Sequence, residues 1–251
     1  MSIGEELMKI IEPQTVFTIR ISKINIPVTD TVISMWIAMA MIIIAALILR
    51  RNFKTIPEGK QNIAEIIVEY INNFAKNNIG EHGLYFAPYI GTLAIFLILS
   101  NGISIFNIIP TGEQLYKLTH IEFFKKIPEY SLRPPTRDLN VTACLAILSI
   151  VVSIYASIRF KKVSGWMKGL AKPVPIMVPF HIMDYFIRPV SLCFRLYGNI
   201  LGAVIIMELL YMAIPLFVPA AVSIYFDLFD GILQAYVFAF LTSTYIAEAV
   251  E

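Results

Sequence analysis

Apolar positions along the chain follow three kinds of pattern, and each predicts a different element. Residues 31–49, 84–109 and 139–158 are runs of nearly unbroken apolar sequence, the second inside a stretch free of Asp, Glu, Lys and Arg from 82 to 112. All three approach or exceed the roughly 20 residues with which a helix crosses ~30 Å of hydrocarbon, so they read as membrane spans. Residues 60–77 place Ile63, Ile66, Ile67, Tyr70, Ile71 and Phe74 at helical spacing, with Lys60, Glu65, Glu69 and Lys76 elsewhere. That stripe predicts an amphipathic helix lying in the interface plane between two spans. Residues 17–28 alternate apolar and polar with one slip near Lys23, the period of extended chain. No segment repeats another.

From Phe180 onward the pattern changes. Apolar sequence continues, punctuated by Asp184, Arg188, Arg195, Glu208, Asp227, Asp230 and Glu248, with Pro215 and Pro219 dividing it. The reading is a helical hairpin over residues 180–214 and 220–250. About 35 helical residues reach ~52 Å, well beyond a ~30 Å core, and ordinary helix tilts stop near ~40°. The hairpin is therefore expected to lie strongly inclined, with a bend at Pro189. Asp184, Arg188, Ser191, Arg195, Asn199 and Gly202 recur at three or four residues and share one helix face. Asp227, Asp230, Gln234 and Glu248 form a comparable stripe on the second helix. Glu208, roughly 220° from Arg195 in phase, points away from the Arg195 face. Polar stripes inside apolar helices imply an aqueous or protein-lined path, because a lipid-facing charge costs several kcal/mol.

Composition narrows the class. The 251 residues are 57% hydrophobic and 15% charged, with a mean hydropathy of +0.72. A soluble domain runs near ~45–50% and ~25%, so this is an integral membrane protein. A net charge of +2 gives no nucleic-acid footprint. Cys144 and Cys193 lie in apolar sequence, without disulfide or metal spacing. His82, His120 and His181 read as interfacial residues, and Trp36 and Trp166 as membrane-boundary aromatics. The first apolar run is no signal peptide: it follows Glu5, Glu6 and Glu12, and its basic flank comes after it. Basic clusters at Arg50, Arg51, Lys54 and at Arg159, Lys161, Lys162, Lys168, Lys172 place those loops in the cytoplasm and the N-terminus outside. H-E-x-x-H, G-x-S-x-G and G-x-x-x-x-G-K-[ST] are absent, so neither a hydrolytic centre nor a nucleotide site is expected.

The run from Arg188 through Pro189, Val190, Ser191, Leu192, Cys193, Phe194, Arg195, Leu196, Tyr197 and Gly198 to Asn199 resembles the signature of subunit a of F-type ATP synthases. Supporting matches follow in family order: Phe86 and Pro88, Ser100-Asn101, Ile109-Pro110, then Pro135-Thr136-Arg137-Asp138-Leu139-Asn140-Val141-Thr142, and Gln234 in the last helix. The resemblance implies an all-α membrane protein: five membrane helices, an amphipathic interfacial helix, and a tilted hairpin against a rotating c-subunit ring. Residues 1–29 are then an external segment and 30–251 one membrane domain, with the C-terminus cytoplasmic. It also implies the plasma membrane of a bacterium, a peripheral-stalk b subunit and other synthase subunits as partners, and no cofactor.

Arg195 matches the family's essential arginine facing the ring carboxylate. Asn199 and Gln234 match its polar partners, and the resemblance implies two offset half-channels that carry H+ or Na+. The family's acid or histidine nine positions after the arginine is Val204 here, and its position seven before the glutamine is Asp227. Glu208, Asp227 and Asp230 are all candidates for the outer channel, and the loop over residues 111–133 is longer than the family pattern.

Competing readings stand beside these. Arg195 read blandly is a helix-end arginine reaching the headgroups. Asp230 or Asp227 read blandly pairs with Arg188 or caps a helix. Asp184 and Arg188 read as a helix-entry ion pair. A free-standing polytopic ion transporter or channel is the alternative function, against which stands the missing internal repeat.

Overall fold

The computed structural model describes residues 15–21, 24–50, 59–103, 133–170, 176, 178–213 and 222–250. Expectations for residues 1–14, the loop at 111–132 and the end of the second apolar run lie outside that set.

Among the described residues the chain is helical apart from one hairpin. Strands β1 (Thr15–Ile21) and β2 (Ile24–Thr29) pair antiparallel, with an irregularity between Thr15 and Phe17. Six helices follow: α1 (Asp30–Arg50), α2 (Lys60–Ile79), α3 (Gly83–Gly102), α4 (Leu139–Leu170), α5 (Val178–Ala213) and α6 (Gly231–Val250). A π-helical stretch, Ile224–Asp230, precedes α6. Among the described residues, five helical stretches are long and apolar enough to cross a membrane. The all-α membrane architecture expected from the hydropathy pattern is therefore the one observed. The alternating segment supplies the only strands among the described residues.

The chain divides into two compact units. The first combines residues 1–40, 97–138 and 197–233. Here Asp30 begins α1 and does two jobs. Its Oδ1 accepts the Thr31 backbone N–H at 2.9 Å, and its Oδ2 lies 3.1 Å from Arg133 Nε. A carboxylate in the first turn also suits the helix dipole. Thr31 Oγ1 donates to Asp138 Oδ2 at 3.3 Å. Deeper in this unit Asn101 is 5% exposed and fully engaged: its Nδ2 donates to the Gly231 carbonyl at 3.0 Å, and its Oδ1 accepts Thr136 Oγ1 at 2.7 Å. A Cβ at position 231 would sit 3.0 Å from Asn101 Cβ, so glycine lets the two backbones come this close.

The second unit combines residues 41–96, 139–196 and 234–251. Its core is Ala75, Ile79, Phe86, Ala87, Ile90, Ala156, Ala239 and Ile246. Four of these are alanines, the small side chains that let helices in a membrane approach closely. Interhelical hydroxyls add to this. Tyr89 OH and Ser149 Oγ lie 3.3 Å apart, and Thr242 Oγ1 donates to Ser149 Oγ at 3.3 Å. Ser153 Oγ donates to the Tyr245 carbonyl at 2.8 Å. Such bonds contribute about 0.6 kcal/mol each in a bilayer.

In α2 the amphipathic stripe divides. Ile71 and Phe74 pack against the core, while Ile63, Ile66, Ile67 and Tyr70 stay exposed. Gly80 ends α2 at φ +79, a conformation glycine reaches without strain. His82, expected at the interface, stacks on Phe160 at 4.1 Å between ring centroids. Within α4, Lys162 adopts φ 63 and ψ 161 and breaks the helix. That region is nearly reserved for glycine and costs a side-chain-bearing residue about 1–3 kcal/mol.

Candidate functional site

α5 carries the arginine motif, and its phase sorts the side chains into sectors. Leu192 and Leu196 are buried, whereas Phe186, Val190 and Phe194 are 70%, 50% and 64% exposed. The polar stripe Asp184, Arg188, Arg195, Asn199 runs along the seam between these sectors. The helix continues through Pro189, which offers no N–H to the carbonyl one turn back. Arg195 is exposed on this seam, and no described side chain forms an ion pair with it. Gly198 and Gly202, further along the stripe, would each accept a Cβ with no atom of another described segment within 4 Å.

Two of the expected polar residues are joined directly. Asn199 Nδ2 donates to Asp230 Oδ2 at 2.5 Å, so Asp230 takes the amide and not Arg188. Asp230 is the last residue of the π-helical stretch that also holds Asp227. That stretch departs from α-helical phase, so the expected stripe from Asp227 to Gln234 does not follow the α-helical spacing used to derive it. Gln234 is 7% exposed, and its Nε2 has no acceptor among the described residues. Glu208 lies within α5; its side chain and that of Asp227 are outside the described set.

The expected Asp184–Arg188 pair gives way to another. Arg188 Nη1 lies 2.6 Å from Glu248 Oε2, and the guanidinium sits 4.9 Å from the Tyr245 ring centroid. An aromatic face and a carboxylate from α6 together outcompete an aspartate one turn away on the same helix, because they meet the planar guanidinium in its own geometry. Arg188 and Glu248 border a cavity of about 250 Å³ also lined by Lys161, His181, Asp184 and Tyr185. Trp166 Nε1 donates to Tyr185 OH at 3.0 Å beside it. The formal charges in this lining balance, Lys161 and Arg188 against Asp184 and Glu248.

Among the described residues no three His, Cys, Asp or Glu side chains gather as a metal cluster. Cys144 is exposed and Cys193 buried, 3.5 Å from Thr142 Oγ1; neither forms a disulfide.

The sequence profile of the ATP synthase A chain family matches residues 32–247, which include the arginine motif and both helices of the polar stripes. The chain belongs to this family.

Two curated relatives agree over nearly the same length. "ATP synthase subunit a, sodium ion specific" of Propionigenium modestum is 37% identical over 224 residues, covering 89% of this chain and 75% of its own. The chloroplastic ATP synthase subunit a of Stigeoclonium helveticum is 35% identical over 224 residues, covering 88% and 85%. As a member of the ATP synthase A chain family with five spanning helices, the chain is an integral membrane protein. Three features had no local sequence signal: the π-helical stretch, the Asn101–Gly231 contact and the Arg188–Glu248 pair. The two contacts join segments distant in sequence, and helical phase alone says nothing of which segments meet.

Proposed function

We propose that this chain is the ion-translocating stator subunit of a rotary ATP synthase. In this reading two offset half-channels carry H+ or Na+ to and from a c-subunit ring, and Arg195 faces the ring's carboxylate and couples ion flow to rotation. The observation that carries it is the state of Arg195: an exposed guanidinium without an ion-pair partner among described side chains, on a helix that also exposes large apolar residues such as Phe186, Val190 and Phe194. Bare in hydrocarbon, such a charge costs about 2.5–3.5 kcal/mol by insertion scales. A carboxylate from a neighbouring chain removes that penalty. The open space at Gly198 and Gly202 supports the same reading, since nothing in the packing of the described residues calls for glycine there.

The chemistry follows from the side chain. A guanidinium does not lose its proton in a protein, so Arg195 is no relay. It attracts a ring carboxylate that has released its ion by ~4 kcal/mol at 4 Å and an effective dielectric near 20. The same charge repels a free cation and blocks direct leakage between the half-channels. Each charge falling through 100 mV supplies ~2.3 kcal/mol, and the channel offset turns that into rotation. Asn199 with Asp230, and the buried amide of Gln234, are polar stations beside this path. Glu208, Asp227 and Asp230 are its candidate outer acids.

With 36 residues, α5 reaches ~54 Å and so lies inclined in the bilayer. Residues 30–251 form one membrane domain behind an external segment at 1–29, with the C-terminus in the cytoplasm of a bacterial cell. The c-ring, the b-subunit peripheral stalk and other synthase subunits are its partners. Nucleotide chemistry takes place on those other chains, and this subunit is non-catalytic and needs no cofactor. One relative is named sodium ion specific, so either cation is a candidate for this chain.

ATP-driven ion uptake by the complete complex in vesicles tests the proposal. Arg195→Ala is expected to abolish uptake, and normal uptake would overturn the reading. Repeating the assay with and without Na+ names the ion. Leucine at Glu208, Asp227 and Asp230 in turn identifies the channel acid as the position whose loss slows uptake.

A further inference from the structure

The seam of α5 holds two arginines in opposite states. Arg188 precedes Arg195 by about two turns, so the two leave the helix within ~20° of one another and roughly 10 Å apart along the axis. Arg195 is exposed and has no ion-pair partner among described side chains. Arg188 is held by Glu248 at 2.6 Å and by the face of Tyr245. Resting on the reading of Arg195 as the charge that meets a rotor carboxylate, we propose that Glu248 is a charge mask. It neutralises Arg188, so the seam presents one attractive position and not two.

The physical case is a matter of competing wells. Attraction between unit charges falls only as the inverse of distance, so two bare guanidinium groups of similar exposure would attract a passing carboxylate about equally. The carboxylate would then dwell at either. A guanidinium paired to a carboxylate is a dipole, whose field decays faster and leaves the second position shallow. The rest of the cavity lining is balanced in the same way, with Lys161 and Asp184 adding one charge of each sign.

A purely mechanical role fits the geometry less well. The Arg188 side chain is 28% exposed and that of Glu248 is 51% exposed, and ion pairs this open hold structures together weakly. Charge cancellation needs only proximity. Glu248 is thus a positioning residue, acting through Arg188 on where the rotor stops. Its chemistry predicts that removing Glu248 harms function only while Arg188 is present.

The test uses the complete complex in vesicles, with ATP-driven ion uptake measured per assembled complex. Glu248→Gln is expected to lower uptake about tenfold. Arg188→Gln should stay within about twofold of wild type, and the double variant should regain that level. Normal uptake by Glu248→Gln overturns the mask, as does strong impairment of Arg188→Gln or a double variant no better than Glu248→Gln. If Glu248→Gln does not assemble, the Arg188→Gln and double variants still decide, since both must pump. An Arg195→Ala control separates the two levels of the argument. Uptake lost there with no effect at Glu248 defeats the mask alone, whereas uptake kept there defeats the reading beneath it.

Discussion

α1 and α5 are both largely uncovered by the rest of the chain, and for opposite reasons. In their most apolar stretches only 11% of α1 and 17% of α5 is buried. Mean hydropathy separates them, at 2.8 against 1.7. The exposed positions of α1 are apolar through most of its second half, Ile43, Ile44, Leu47 and Ile48 among them, until Arg50 closes the helix. Those of α5 mix Phe186, Val190 and Phe194 with Arg195. Bare apolar surface in a membrane protein needs only lipid. Bare apolar surface with an uncompensated charge in it needs a partner, because lipid cannot solvate the charge and this chain's described side chains do not pair with it. Exposure alone therefore does not distinguish a lipid face from an interface; the charge does.

Making the two helices alike is the most direct experiment. Arg195→Leu turns α5 into a second α1. The amount of assembled protein should stay within about twofold of wild type, since no ion pair to a described side chain is lost, while ATP-driven uptake falls by a factor on the order of 100, equivalent to about 2.7 kcal/mol. Retained uptake in that variant would mean that α5, like α1, only faces lipid. The reverse substitution, Ile43→Arg, puts a charge where no partner waits. It should disfavour insertion of α1 by about 2.5–3.5 kcal/mol, read as the inserted fraction in a glycosylation-mapping assay. Unchanged insertion would show that α1 also has a polar neighbour.

A smaller effect is expected at Gly198, where α5 leaves open space. Gly198→Leu should keep the subunit's thermal stability, since a Cβ there meets no neighbouring atom of the described residues within 4 Å, yet lower uptake several-fold by obstructing an approaching helix. Uptake at the wild-type rate would place the partner elsewhere on α5. The smallest change concerns neither face. Lys162→Gly relieves the strained backbone in α4 and should stabilise the purified subunit by ~1 kcal/mol, visible as a rise in its unfolding midpoint.

Much of this architecture is legible along the chain because hydropathy and helical phase are local properties. α1 begins one residue from the expected start, at Asp30, where a capping carboxylate meets apolar sequence. The polar stripe of α5 follows from spacing alone, and the family signature singles out Arg195 within it. What stays hidden is the choice between partners. Arg188 has an aspartate four residues away, the usual neighbour in an isolated helix, and pairs instead with Glu248 from the end of the chain. Lys162 carries no glycine or proline signal for its break. The π-helical stretch reads as ordinary apolar helix, with no glycine or proline inside it to mark the change of winding.

That wide turn bears on how the chain tolerates changes in length. A helix winds with i→i+5 bonds when it must house one residue more than the α path has room for. Here the surplus ends at Gly231, where Asn101 grips the backbone. The start of α6 at Gly231 is thus expected to be insulated from additions or losses upstream. A relative lacking one residue between 224 and 230 is expected to wind as plain α-helix up to the same grip and to begin its last helix at the same place.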